Sequence, residues 1–181
     1  FGTVGSGVAE VLSKNSQGIA RRSGGEIQVK YILDVRDFPD SPFKDCFVKD
    51  FSIIENDPEV DVVVETIGGA KVALEFTTRA LKAGKSVVSS NKELVATHGY
   101  ELLQLAKANG VSYLFEASVG GGIPILRPLT NCLAANEVEQ ITGILNGTTN
   151  YILTRMIKAG LTFEQALKEA QDLSLIHISE P

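Results

Sequence analysis

The stretch Asp61-Val62-Val63-Val64-Glu65-Thr66-Ile67-Gly68-Gly69 decides the fold that this sequence predicts. Its central run of valines is continuous and β-branched, which is typical of a parallel strand buried on both faces. The two glycines predict a turn where the strand ends. Apolar residues then recur at helical spacing up to a glycine stop at Gly84, namely Val72, Phe76, Ala80 and Ala83. Strand, glycine turn and helix in this order form the repeating unit of an α/β protein.

The same unit recurs along the chain. Short β-branched or aromatic runs at 27–33, 86–89 and 111–115 predict further strands, with helical patterns between the later ones. The polar segment 13–25 predicts a loop or a ragged helix end, and 38–57 predicts a loop with one short helical turn. This succession predicts a Rossmann-like, doubly wound parallel sheet.

A different pattern begins near Asn136. Before it, residues 124–133 predict a helix, and after it residues 137–146 alternate polar and apolar side chains as a half-buried strand does. A helix ending at Gly160 and a last helix capped by Thr162, with Gln165 completing a capping box, are then expected. We therefore place a domain boundary near Asn136, where an α+β domain begins.

Turns at the carboxyl ends of parallel strands lie along one edge of the sheet when the crossovers are right-handed. Four turns of this sequence qualify, at residues 2–7, 66–69, 91–92 and 116–122. We expect them to line a single crevice, which is where open α/β sheets bind ligands.

The first turn, Phe1-Gly2-Thr3-Val4-Gly5-Ser6-Gly7, would complete a G-x-G-x-x-G motif if one more glycine preceded Phe1. In that motif Gly2 lets the backbone approach a pyrophosphate, and Gly5 lets the helix pack closely on its strand. A ribose-reading residue is expected after the next strand, in Asp34-Val35-Arg36-Asp37, where an acid suits the 2′-hydroxyl of NAD and Arg36 suits the 2′-phosphate of NADP. Arg36 favours NADP, although an exposed charged loop is the alternative.

Glu116 ends a predicted strand and is followed by Gly120, Gly121 and Gly122. A carboxylate beside backbone carbonyls that glycines can turn inward is a ligand set for a hard cation. The alternative is an ordinary strand-to-helix turn with a solvated glutamate.

The composition indicates a globular protein, with 44% hydrophobic and 22% charged residues. The net charge of −5 gives no indication of nucleic-acid or anionic-membrane binding, and no apolar run is long enough for a membrane span. Cys46 and Cys132 are far apart and lack metal-ligand spacing, which favours two small buried side chains in a reducing, cytoplasmic compartment.

Five segments together resemble the homoserine dehydrogenase family: FGTVGSG at the start, VDVVVETIGG, SSNKELVA, YLFEASVGGGIPILRPL and GILNGTTNYILTRM. The resemblance extends from Phe1 to Leu173, and FEASVGGGIPI and NGTTNYIL are its most specific motifs. It implies NAD(P)-dependent interconversion of L-homoserine and L-aspartate 4-semialdehyde, in threonine, isoleucine and methionine biosynthesis. The resemblance also implies a dinucleotide-binding domain over 1–136 and the start of a substrate-binding and dimerisation domain over 137–173. The full-length enzyme is then expected to be a homodimer.

The resemblance also assigns site residues. Phe1, Gly2, Thr3 and Val4 would contact the dinucleotide, Arg36 would lie by the adenosine ribose, and Lys92 would lie against the nicotinamide and the substrate. Glu116 and the carbonyls of Val119, Gly121 and Ile123 would bind a monovalent cation, usually sodium. Lys92 admits two interpretations, as a group that positions the cofactor, which we prefer, or as a proton-transferring lysine with a lowered pKa.

Two departures from the family pattern matter. Residues 174–181 resemble nothing in the family, so we expect them to be non-native, and the catalytic lysine and substrate-binding carboxylates are expected downstream of Leu173. The strand that should precede Phe1 would lie between the strands holding Ile32 and Val63, so the chain by itself is expected to fold poorly and to be inactive.

Two other functions stay open at this point. One is a non-catalytic NAD(P)-binding module, which a downstream acidic segment would exclude. The other is a different dinucleotide-dependent semialdehyde oxidoreductase, which would need a nucleophilic cysteine beside a base in the crevice. Neither Cys46 nor Cys132 lies at a predicted strand end there.

Overall fold

A computed structural model describes residues 1–144 and 146–173 of the chain. The chain divides into two compact units, an N-terminal unit Phe1–Ile123 and a C-terminal unit Pro124–Pro181. This division lies earlier in the chain than the boundary that the sequence suggests near Asn136.

The N-terminal unit alternates helices and strands. In chain order they are α1 (Thr3–Lys14), α2 (Ser16–Ser23), β1 (Ile32–Leu33), β2 (Phe47–Val48), α3 (Phe51–Asn56), β3 (Val62–Glu65), α4 (Ala70–Lys82), β4 (Ser86–Ser89), α5 (Lys92–Ala108) and β5 (Tyr113–Leu114). Two 3₁₀ turns, Lys44–Cys46 and Glu116–Ser118, complete the unit.

All strand pairs of the described residues are parallel, which confirms the predicted α/β class. β1 pairs with β2, and β3, β4 and β5 form a second sheet in that order. The β3–β4 register places Val63 opposite Val87 and Glu65 opposite Ser89. The carboxyl ends of these strands therefore lie at one edge, as the sequence predicted.

The core lies on one face of the second sheet. Val87 and Tyr113 are buried there among side chains of α4 and α5, including Leu81, Leu94 and Leu102. On the other face Val62 and Val64 remain 51% and 43% exposed. The prediction that the valine run is buried on both faces is therefore wrong in this unit, because α4 and α5 cover the face of Val63.

β1 and β3 belong to different sheets, and each has an edge that neither sheet pairs. The N–H of Asp34 donates to Val48 across β1 and β2, and the carbonyls of Asp61 and Glu65 accept from β4 and the residue after it. Neighbouring residues of a strand direct their backbone groups to opposite sides. The backbone N–H and C=O groups of Leu33 and Val64 therefore point away from these partners, toward the other edge of β1 and of β3.

Three sequence predictions for the N-terminal unit are corrected. Segment 13–25 contains α2, segment 27–33 pairs only at Ile32–Leu33, and segment 38–57 contains β2 as well as α3. Short strands such as β1 and β2 depend on each other for hydrogen bonds, so their lengths follow from a partner that is distant in sequence.

The C-terminal unit contains a π-helical turn, Pro128–Cys132, followed by α6 (Gly147–Ala159) and α7 (Phe163–Asp172). Gly160 follows α6 with φ of 66°, and Thr162 and Gln165 form the predicted capping box. The strand predicted over 137–146 is wrong for the described residues of that range, where 137–144 are exposed and unpaired with any strand. A strand forms only with a hydrogen-bonded neighbour, and the described chain supplies none here.

The proposed non-native tail, 174–181, and Leu145 lie outside the described residues. None of the helices in the described part of the chain is long and apolar enough to cross a membrane.

An ion cluster ties the segment before β1 to the link between α3 and β3. Asp57 accepts hydrogen bonds from the Tyr31 hydroxyl at 2.8 Å and the Glu59 N–H at 2.9 Å, and Lys30 Nζ lies 2.7 Å from Asp57 Oδ2. Lys30, with these N–H and O–H donors, lowers the pKa of Asp57 to about 2.

Asp57→Asn is expected to lower stability at pH 7 and to lose that effect in acid. The folded-state pKa of Asp57 lies below its unfolded value, about 3.9, so its charged form stabilises the fold above that value. The stabilisation is lost as pH falls from about 4 to about 2. Urea unfolding between pH 7 and about pH 2, with the exposed Asp45→Asn as control, would measure this. A difference between wild type and Asp57→Asn that is constant with pH would contradict it.

Candidate functional site

The glycine turn at the start of the chain leads directly into α1. The first helical hydrogen bond runs from the Ser6 N–H to the Gly2 carbonyl, at 2.9 Å. The N–H groups of Thr3, Val4 and Gly5 therefore have no carbonyl acceptor within the helix. Gly2, Thr3 and Val4 are exposed, and the space that a side chain would occupy at Gly2 is open. This end of α1 can receive an anionic group.

Gly5 sets how closely α1 approaches the end of β3. A Cβ atom at Gly5 would lie only 3.1 Å from Oγ1 of Thr66, the residue that follows β3. Glycine permits this approach, which brings two of the four predicted turns together. Thr66 was part of a predicted turn, but the sequence did not single it out.

Phe1 lies at the end of β1. Its ring contacts the rings of Phe38 and Phe47, with centroid distances of 5.5 and 5.2 Å. Because Gly5 approaches Thr66 while the Phe1 ring contacts Phe38 and Phe47, the N-terminal turn lies between the end of β3 and the β1–β2 pair.

Arg36 and Asp34 bind each other at the end of β1. Arg36 donates from Nε to Asp34 Oδ1 at 3.1 Å and from Nη2 to Oδ2 at 3.0 Å, and its guanidinium lies 5.1 Å from the Phe38 ring centroid. The Arg36 side chain is still 61% exposed, whereas that of Asp34 is 7% exposed. Arg36 and one of the acids that the sequence offered for binding a ribose, Asp34, thus lie together at the end of β1. Of the two side chains, that of Arg36 is accessible to a ligand.

Lys49 is a basic residue near this place that the sequence reasoning missed. Its Nζ donates to the carbonyls of Val35 and Arg36, at 3.1 and 2.6 Å, and lies 2.7 Å from Asp37 Oδ1. Lys49 holds the loop that carries Arg36. Only the pairing of β1 with β2 brings it there, so no local sequence signal could have found it.

The turns after β3 and β4 are joined by Asn91, the residue before α5. Asn91 Nδ2 donates to the carbonyls of Ile67 and Gly69, at 2.9 and 2.8 Å. Lys92 is the first residue of α5 and is exposed, so it lies beside the turn at residues 66–69. The structure therefore links the turns at 2–7, 66–69 and 91–92, as the sequence predicted.

The turn that begins at Glu116 lies beside β4. Its backbone hydrogen bonds use the carbonyls of Phe115, Glu116 and Gly120, and Gly120 and Gly121 have φ of 70° and 58°. The other members of the predicted cation site, Val119, Gly121 and Ile123, are exposed. The described residues contain no group of three His, Cys, Asp or Glu side chains suited to a metal, so a cation here would depend on one carboxylate and on carbonyls.

Two family models match the chain. Residues 1–116 match the model described as homoserine dehydrogenase, NAD binding domain, and residues 124–177 match the model described as homoserine dehydrogenase. The first match alone covers more than half of the chain. This chain belongs to the homoserine dehydrogenase family.

Individual relatives agree with this membership. The homoserine dehydrogenases of Bacillus subtilis and Pseudomonas aeruginosa are each 44% identical to the chain over 96% of its length. The crystal structure of the enzyme from Thiobacillus denitrificans superposes with a TM-score of 0.86 at 41% identity, covering 99% of this chain and 42% of that one. A hyperthermophilic archaeal homoserine dehydrogenase in complex with NADPH superposes with a TM-score of 0.80 at 29% identity, covering 99% of this chain and 60% of that one.

The chain spans only part of the homoserine dehydrogenases it matches. It covers 41% of the Bacillus subtilis protein and 40% of the Pseudomonas aeruginosa protein. What is shown is therefore a match to the family's NAD binding domain over residues 1–116 and to its homoserine dehydrogenase model over residues 124–177.

Proposed function

We propose that this chain is part of an enzyme that transfers a hydride between L-homoserine and NAD(P), with L-aspartate 4-semialdehyde as the oxidised form of the substrate. The observation that carries this proposal is the exposed beginning of α1, placed between the end of β3 and the β1–β2 pair. When bound, the nicotinamide accepts or donates the hydride. The residues described above bind and orient the dinucleotide.

Phe1, Gly2, Thr3 and Val4 contact the dinucleotide in this proposal. The N–H groups at the start of α1 receive the pyrophosphate, and the missing side chain of Gly2 leaves room for it. Arg36 binds the 2′-phosphate of NADP, which we prefer to NAD because the exposed group at the end of β1 is the guanidinium. Its stacking beside Phe38 supports a planar, bidentate contact.

Lys92 serves to position the nicotinamide and the substrate. Its place as the first residue of α5, directly after Asn91, supports this role. We assign proton transfer and substrate-carboxylate binding to the part of the enzyme that this chain does not cover.

A monovalent cation, which we propose to be sodium, binds to the Glu116 carboxylate and to the carbonyls of Val119, Gly121 and Ile123. The hard oxygen donors and the left-handed glycines of this turn support the assignment. Its role is structural, because it would organise the turn that precedes the C-terminal unit.

The same proposal places the full-length enzyme in the cytoplasm, as a homodimer in threonine, isoleucine and methionine biosynthesis. Cys46 is half-buried and Cys132 is exposed, so the prediction that both are buried is wrong. Both are free thiols, which suits a reducing compartment.

The test is an assay of a full-length homoserine dehydrogenase that contains these residues. Homoserine-dependent reduction of NADP, followed by the absorbance of the reduced nicotinamide, is the expected result. An enzyme that binds NADPH but shows no turnover with L-homoserine or L-aspartate 4-semialdehyde would reject the proposed substrates.

Arg36→Ala is expected to raise KM for NADP about tenfold, which corresponds to ~1.4 kcal/mol. The reason is the loss of a charged contact to the 2′-phosphate, and KM for NAD should change little because NAD lacks that group. Steady-state kinetics with both cofactors measure the effect, and Arg22→Ala on α2 is a control of the same chemistry. An unchanged KM for NADP would remove Arg36 from the site.

A further inference from the structure

Glu65 and Ser89 form a buried polar pair at the carboxyl ends of β3 and β4. Glu65 is 4% exposed and Ser89 is 0% exposed, and they lie opposite each other in the strand register. The Ser89 hydroxyl donates to Glu65 Oε2 at 2.5 Å, and the Ile67 N–H donates to Glu65 Oε1 at 2.6 Å. Two residues earlier on the same face, at the Val63–Val87 pair, the side chains are apolar.

The direction of these hydrogen bonds is determined by the groups that make them. A carboxylate only accepts, so the Ser89 hydroxyl must give its proton to Glu65. The Ser89 oxygen is then an acceptor for the backbone N–H of Asn91, which lies at 3.1 Å. The pair therefore fixes the backbone of Asn91 as well as that of Ile67.

The Asn91 side chain makes hydrogen bonds both to the turn at 66–69 and to the first turn of α5. Its Nδ2 group donates to the carbonyls of Ile67 and Gly69, and its Oδ1 accepts from the Leu94 N–H at 3.0 Å, which caps α5. Asn91 is 8% exposed. Two donors and one acceptor of a single amide thus join the turn at 66–69 to the beginning of α5.

Both joined segments carry residues of the proposed site. Thr66 begins the turn and lies against Gly5 of the glycine turn, and Lys92 follows Asn91. A buried carboxylate is costly, and two apolar side chains would fill the same space with less loss of hydration. Polar groups that are buried at such a cost and hydrogen-bonded to each other and to the backbone favour one backbone arrangement.

We propose that Asn91, held by the Glu65–Ser89 pair, is a positioning residue for the dinucleotide. It keeps the turn at 66–69 and Lys92 in the arrangement that binds the nicotinamide half, without touching the reacting atoms. This inference rests on the proposed function, because it concerns the same dinucleotide site.

Asn91→Ser is the direct test in the full-length enzyme. Serine also caps helices, so the cap on α5 is kept without adding charge, while both donors to Ile67 and Gly69 are lost. KM for NADP is expected to rise about tenfold, from the loss of two hydrogen bonds. We expect kcat at saturating NADP to stay within about threefold of wild type, since only binding is affected. Asn56→Ser, which removes a donor to the Ser52 carbonyl at the end of α3, is the matched control and should change neither constant.

Ser89→Ala provides an independent variant. Ser89 is fully buried and cannot contact a ligand, so we expect any rise in KM for NADP to be transmitted through the groups it holds, Glu65 and the Asn91 N–H. If Asn91→Ser and Ser89→Ala both bind NADP like wild type, or if both lower kcat with KM unchanged, the inference is wrong. An enzyme inactive with homoserine would overturn the proposed substrates instead, and fluorescence titration of the same variants with NADPH would still decide the positioning role.

Discussion

Replacing Gly2 with aspartate is expected to abolish dinucleotide binding while the fold remains intact. Gly2 directly precedes α1, has no side-chain cap and has open space beside it. Aspartate is a favourable capping residue there, so the stability of α1 should be equal or slightly higher. The same carboxylate would occupy the place of the pyrophosphate and repel it, so affinity for NADPH should fall at least about a hundredfold, or ~2.8 kcal/mol.

The measurement is a fluorescence titration with NADPH together with thermal unfolding of the full-length enzyme. Gly2→Ser is the matched control, because serine caps the helix without a charge and should weaken binding much less. If Gly2→Asp bound NADPH as tightly as Gly2→Ser, the phosphates would not lie at the start of α1. The glycine turn would then have to act only in packing.

The second large effect is expected for Leu81→Ala in the core of the N-terminal unit. Leu81 lies in α4, is 0% exposed and belongs to the cluster that includes Val87, Leu94 and Leu102. Truncation removes buried methyl groups and leaves a cavity, so we expect the free energy of unfolding to fall by about 3 kcal/mol (range ~2–5). α4 starts directly after the turn at 66–69, which belongs to the proposed dinucleotide site. The Leu81→Ala enzyme should therefore bind NADPH more weakly under conditions in which the N-terminal unit begins to unfold.

Urea unfolding of the full-length enzyme, followed by the transition of the N-terminal unit, measures the loss. Leu103→Ala is the control, since Leu103 lies on α5 and is 41% exposed, and it should cost less than ~1 kcal/mol. Equal effects of the two truncations would mean that the side of α4 bearing Leu81 is not the core face.

Local patterns predicted most of the elements of the N-terminal unit. The strand at 62–65, the glycine stop after α4 and the capping box at Thr162 are each encoded within a few residues, and each is present. Where the predictions failed, the missing information was which other segment of the chain packs against or pairs with the predicted element. Residues 137–144 alternate as a strand does, yet no described strand lies beside them, and α2 has a weak apolar pattern that did not distinguish it from a loop.

The site shows the same division. Gly2, Gly5 and Arg36 could be selected because a motif and its spacing prescribe them. Asn91 and Lys49 could not, because their roles arise from carbonyl groups that the strand pairings bring near them.

By itself, the sequence determined the α/β class, the positions of the turns and the family, since these depend on side-chain periodicity and short motifs. Only the tertiary structure decided which face of β3 is buried, that Arg36 is bound to Asp34, and that Glu65, Ser89 and Asn91 form one network. The physical reason is that periodicity describes how a segment alternates along its own axis. Burial and hydrogen bonding depend on what another segment places against it.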